Sequence, residues 1–212
     1  PSFQNVMVRK DANVSTMKDL NGKCFNSGVP GATAQKVMLR SIKAIGLEPD
    51  IALSDSKASI AAIKDGRCIG QMKTMGGKTL DAATAALNVT TPLWPVGWTE
   101  EEKAKIKAEM PWIDFGTVPA GVVEGAPSYD VNVMWIGFVA TSDMDEETGY
   151  KITKSMWENI EDQRAAYKGL EDRDLPKITI EKSATPLHAG AVRFYRELGL
   201  DIPDALIPPE MN

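Results

Sequence analysis

Apolar positions along the chain change their period from segment to segment, and each change marks an element. The alternation Asn5-Val6-Met7-Val8-Arg9 predicts a strand, and the polar run behind it predicts a connector. Residues 23–26 predict a short strand, which Gly28-Val29-Pro30-Gly31-Ala32-Thr33 interrupts. Val37, Met38, Ile42 and Ile45 then recur at helical spacing until Gly46 ends the helix. Residues 51–53 predict a strand, 57–64 a helix with Ile60 and Ile63 on one face, and 68–72 a further strand. Gly76-Gly77 precedes an expected helix over 78–87, with Leu80, Ala83 and Leu87 on one side. Strands and helices alternating in this way predict an α/β fold, with a parallel sheet covered by helices on both faces.

Residues 92–98 read as a loop or short strand, and Thr99-Glu100-Glu101 opens a charged helix that Pro111 closes. Residues 131–140 are the most strand-like run in the chain, long enough to pass from one lobe to another. A long amphipathic helix is expected over 143–170, with Asp145, Glu146 and Glu147 well placed in its first turn for the helix dipole. A short strand over 178–180 follows. A last helix opens at His188 or Ala189, with Ala191, Phe194, Tyr195 and Leu198 facing inward.

Length and composition narrow the class. At roughly 150 residues per domain, 212 residues allow one large or two small lobes and a core that needs no disulfide staples. With 43% hydrophobic and 25% charged residues the chain is neither disordered nor fibrous. A net charge of -5 argues against non-specific attraction to nucleic acid or to an anionic membrane surface. The run 131–140 is about half of the ~20 residues needed to span a bilayer, so no direct membrane insertion is expected. Cys24 and Cys68 are too far apart in sequence for a CxxC motif and read either as buried inert thiols or as one disulfide.

Two glycine-rich turns are the candidate sites. A turn between a strand and a helix leaves backbone N–H groups unpaired at the helix start, where the dipole favours a carboxylate or phosphate. On this logic Gly31, Ala32 and Thr33 supply backbone or hydroxyl donors, and Gly76, Gly77, Lys78 and Thr79 supply donors and a positive charge. A P-loop ending at Gly77-Lys78-Thr79 would need glycine where Met72 stands, so a nucleoside triphosphate is not expected. His188 is the only histidine, which excludes a histidine-pair metal site, and it reads as a structural or capping residue. Asp143, Asp145, Glu146 and Glu147 lack the spacing of a calcium loop. No catalytic set, metal or cofactor follows from these residues, and an enzyme is not expected.

The pieces Asp19-Leu20-Asn21-Gly22-Lys23, Gly28-Val29-Pro30-Gly31-Ala32-Thr33, Val118-Pro119-Ala120-Gly121, Glu147-Thr148-Gly149-Tyr150-Lys151-Ile152-Thr153-Lys154 and Thr185-Pro186-Leu187-His188-Ala189-Gly190-Ala191-Val192-Arg193-Phe194-Tyr195 occur in one order over nearly the whole chain. Together they resemble the TAXI family of TRAP-transporter solute receptors. The resemblance implies a type II periplasmic-binding-protein-like fold, two α/β lobes joined by a hinge, closing on a small carboxylate such as glutamate or a dicarboxylate. It implies a periplasmic location and membrane permease subunits as partners. It also implies a longer mature protein, with the first βα units of an incomplete first lobe upstream of Pro1, and hence weak or absent binding by this chain alone. Residues 11–129 would be the second lobe, and 1–10 and 130–212 parts of the first. Three departures from the family pattern bear on the ligand: Ala32 in the first turn, Val122-Val123 after the glycine at 121, and Gly70-Gln71 after the third strand. A ligand-sensing domain of a regulator or sensor kinase is the alternative with the same fold.

Overall fold

A computed structural model describes residues 1–171 and 173–211. It falls into two compact units, Pro1–Met134 and Trp135–Asn212.

The first unit is a sheet with helices. In chain order it holds β1 (Ser2–Arg9), β2 (Cys24–Asn26), α1 (Thr33–Ala44), β3 (Asp50–Ala52), α2 (Ser56–Lys64), β4 (Gly70–Met75), α3 (Ala82–Thr90), β5 (Leu93–Val96), α4 (Glu100–Glu109), β6 (Asp114–Val118) and β7 (Tyr129–Met134). The strand order is β3-β2-β4-β1-β7-β6, with β5 also paired to β1. The fold is α/β, but the sheet is mixed rather than parallel. Parallel pairing is confined to β3-β2-β4, where Asn26 of β2 pairs with Ala52 of β3 and with Gln71 of β4. Every partner of β1 is antiparallel to it: β4 on one edge, β5 and β7 sharing the other.

Packing follows from the sequence pattern. Val37, Met38 and Ile42 of α1 are buried with Val6, Val8, Phe25 and Met72 from the sheet and with Ile106 of α4. Burying each such side chain contributes about 1.5–3 kcal/mol. Gly46 ends α1 at a positive φ of 74°, a conformation open to glycine without a Cβ penalty, and Leu47 donates back to the Ile42 carbonyl at 3.1 Å. Thr99 caps α4 in a reciprocal capping box with Glu102. The base of the sheet is cross-linked, because Cys24 at the start of β2 and Cys68 just before β4 form a disulfide across 44 positions of sequence.

Most polar side chains inside this unit are paired, although Asn132 Oδ1 and Gln71 Nε2 are buried without a partner. Gln4 of β1 donates to the Ala34 carbonyl of α1 at 2.9 Å, and Asn132 of β7 donates to Ser41 Oγ of α1 at 2.8 Å. Tyr129 donates to Asn5 Oδ1 at 2.8 Å, and burial pushes its phenol well above the usual range. Lys103 of α4 meets Asp130 at 2.5 Å, and that ammonium together with the Thr117 hydroxyl holds the Asp130 carboxyl below the ordinary carboxylate range.

The second unit is helical: α5 (Glu146–Glu158), α6 (Ile160–Ala166), α7 (Leu175–Lys182) and α8 (Ala189–Glu197). Helices α5 and α8 approach closely at two glycines. A Cβ on Gly190 would lie 2.2 Å from the Tyr150 nitrogen, and one on Gly149 would lie 2.1 Å from His188 Nδ1. His188 caps α8, its Nδ1 accepting from the Gly190 N–H at 3.2 Å while Nε2 meets the Met144 carbonyl at 2.9 Å. The Arg193 guanidinium stacks 3.8 Å from the Tyr150 ring centroid and pairs with Glu146 and Glu147, each at 3.0 Å.

Four expected elements differ. The strand over 131–140 stops at Met134, because its partner β1 begins at Ser2, opposite Met134, and the next strand pairs no farther than Val133. Beyond that point Ile136, Phe138 and Val139 are exposed coil. The helix over 143–170 breaks at Asn159, whose φ and ψ of -106° and 28° leave the helical region. The strand over 178–180 is part of α7: Asp174 caps it, Pro176 sits in its first turn, and Thr179 bonds back to the Leu175 carbonyl at 2.8 Å. The helix expected over 78–87 starts later, at Ala82.

Candidate functional site

Because β2, β3 and β4 are parallel, the loops after them leave from the same edge of the sheet. These are residues 27–32, 53–55 and 76–81, and they bring both predicted glycine turns to adjacent strands. In α/β sheets that carboxyl edge is where ligands bind, since helix N-termini converge there and loop amides lack ladder partners. Asn26 ties the first two loops together, donating to Ser54 Oγ at 2.7 Å and accepting from the Gly28 N–H at 2.8 Å.

The two turns differ in what they leave open. In the first, the Gly31 N–H donates to Gln35 Oε1 at 2.8 Å and the Ala32 N–H to the Val29 carbonyl at 3.1 Å. Those two amides, expected to face a ligand, are therefore used by the chain itself. Ala32 stands at the cap position of α1, where it has no side-chain oxygen to offer, and no side chain caps the helix. Thr33 opens that helix from an exposed position. The first turn carries no acidic residue, so its dipole end is uncompensated by the chain.

In the second turn Gly77 is buried with φ 89°, its backbone lying on the Phe3 ring so closely that a Cβ would come 2.8 Å from it. Gly76 is half-buried, and Lys78 and Thr79 are exposed. Neither of these last two stands in a helical first turn. The N-terminus of α3 is closed by Asp81, whose carboxylate accepts from the Ala83 and Thr84 N–H groups at 3.2 and 3.3 Å and from Thr84 Oγ1 at 2.5 Å. At the head of that helix an internal carboxylate already occupies the place of an anion.

On the opposite sheet face from α1, sequence reasoning missed a polar group on β4 and α2. Gln71 and Lys73, two residues apart on one face of β4, meet Ser59 and Ser56 of α2 at 2.8 and 2.6 Å. The signal was the polar alternation of Gln71 and Lys73 inside an otherwise buried strand. Gln71 is 2% exposed, and its Nε2 has no hydrogen-bond partner.

With this geometry in hand, similarity to known proteins can be placed. The NMT1-like family model matches residues 2–199. The chain belongs to the NMT1-like family. Among solved structures, this NMT1-like chain is similar to a periplasmic binding protein from Brucella ovis with glutathione bound. That match has 13% identity and a TM-score of 0.38, and covers 46% of this chain and 30% of that one. It is also similar to the arginine-, lysine-, histidine-binding protein ArtJ from Geobacillus stearothermophilus, at 17% identity and TM-score 0.36, covering 52% of each chain. An ancestral arginine-binding protein bound to glutamine matches at 18% identity and TM-score 0.34, again covering 52% of each. The matched part of the NMT1-like chain thus spans about half or less of each of these proteins. Among the described residues no helix is long and apolar enough to cross a membrane.

Proposed function

We propose that the chain is the ligand-binding part of a periplasmic solute receptor of the TAXI type, which captures a small carboxylate, an amino acid such as glutamate or a dicarboxylate, for the permease of a TRAP transporter. The observation that carries the reading is the uncapped head of α1 at the carboxyl edge of three parallel strands. An open helix N-terminus beside loops pinned by Asn26 and Gln35 is a preorganised place for negative charge. Membership of the NMT1-like family supports a receptor, as does the ordered set of motifs from Asp19 to Tyr195. The disulfide between Cys24 and Cys68 supports an oxidising compartment, where such bonds persist. On this reading 11–129 carries the binding lobe. Thr33 contributes its amide and hydroxyl, and Lys78 and Thr79 form the rim on the neighbouring loop.

Calorimetric titration with glutamate, glutamine and C4 to C5 dicarboxylates tests it. Weak but saturable heat for carboxylates and none for the matching diamides is the expected result. Failure of every carboxylate to bind would remove the proposal.

A further inference from the structure

Resting on that reading, we infer that a second carboxylate of the ligand, distinct from the one at the head of α1, is held by Lys73 and Gln71 on the α2 side of β4, and that these two side chains set the specificity of the site for a dicarboxylate. Lys73 is half-buried, and its ammonium donates to Ser56 Oγ at 2.6 Å. Ammonium has three protons to give, and among the described residues no carboxylate lies within ion-pair distance of this one. A cation partly withdrawn from water without a counter-charge is unfavourable, so the site is more stable with an anion than without one.

Gln71 supplies a second and independent observation. Its Oε1 is fixed by the Ser59 hydroxyl at 2.8 Å, which leaves Nε2 as a buried donor with nothing to donate to. An orphan N–H of this kind is destabilising, and the cost is recovered when an acceptor arrives. Residues two apart on a strand share one face at a spacing of about 7 Å, so the amide and the ammonium lie side by side on the α2 face of β4. Asn26 of β2 sits in register with Gln71, which places the pair level with the end of β2 and beside the loops of the carboxyl edge. The neighbouring carboxylate, Asp55, does not fill the site, because it caps α2 by accepting from the Ala58 N–H at 2.8 Å. The hydrogen-bonding capacity left over on Gln71 Nε2 and Lys73 Nζ is all donor, and this selects a carboxylate over an amide or an alcohol.

The test is calorimetry of this chain with sodium glutamate and sodium succinate as probes and succinamide as the neutral control, on wild type and on K73M, K73R, Q71L, Q71E and K64M. Removing a charged hydrogen-bond partner costs about tenfold or more in affinity, so K73M should bind at least that much more weakly. Q71E should bind as weakly as K73M, because the new carboxylate takes Lys73 for itself. Q71L should lose several-fold, K73R should lose less than K73M because it keeps the charge, and K64M should stay near wild type. In parallel, the Gln71 side-chain amide resonance of the wild type should move on titration, a readout that a purely structural role would leave still and that does not depend on any variant folding. If wild type binds and K73M binds equally well, or if the Gln71 amide does not move, this assignment is overturned while the receptor reading stands. If wild type binds neither probe, both fall.

Discussion

The loops after β2 and β4 look alike in sequence, each a pair of glycines between a strand and a helix, yet one ends at an open helix head and the other at a closed one. Glycine does not make the difference. In both loops it serves the backbone: Gly28 at φ 118° lies where a Cβ would meet Met72 Cε at 2.7 Å, and Gly77 lies on Phe3. The difference is the residue at the cap, Ala32 before α1 and Asp81 before α3. A helix that supplies its own carboxylate needs none from a ligand. A methyl group in that position leaves the dipole for something else to satisfy.

The comparison can be stressed in four ways, from the largest effect down. Cys24 and Cys68 join the strands beneath both loops, so the Cys24→Ala, Cys68→Ala double variant should lose roughly 2–4 kcal/mol in urea unfolding. An unchanged midpoint would mean that the bond does not constrain the sheet. Gly28→Ala should cost about 1–3 kcal/mol, from the positive φ and the contact with Met72 together, by the same measurement. Asp81→Ala should cost about 1 kcal/mol through the lost cap while leaving carboxylate affinity unchanged. A fall in affinity there would show that the second loop matters more than its closed helix suggests. Ala32→Ser should do the reverse, raising stability by up to about 1 kcal/mol and weakening binding, since the new hydroxyl competes with the ligand for the head of α1. Tighter binding in that variant would contradict the role given to the open head.

Much of the fold was legible because local rules and tertiary packing agreed. The strand at 23–26, the helix closed by Gly46 and the cap at Thr99 each carry their signal within a few residues. What misled was any element whose fate depends on distant partners. Residues 131–140 have strand composition throughout, but a strand extends only as far as another strand lies beside it, and nothing pairs with it past Met134. Ile178, Thr179 and Ile180 are β-branched, yet Asp174 and Pro176 upstream start a helix that runs through them. Alternation of strand and helix suggested a wholly parallel sheet, whereas β1 reverses the direction at its centre. For the site, the glycines marked the right edge of the sheet but not the groups left open there. Asp81, four residues beyond the second glycine pair, is the cap of the helix that follows, and its role shows only once that helix is seen to start at Ala82 rather than at Lys78.

The position of β1 has a consequence in time. It precedes every strand it pairs with, and its opposite numbers are spread from Gly70 to Met134. Made first, it is completed last. Long-range pairing of this sort slows folding, because a large loop must close before any ladder forms to reward it. Until residue 96 is available Val6, Met7 and Val8 lack one of their two neighbouring strands, and Phe3 and Gln4 wait for residues 132 and 133, so this buried stretch is an unfinished, sticky edge for most of the unit's length.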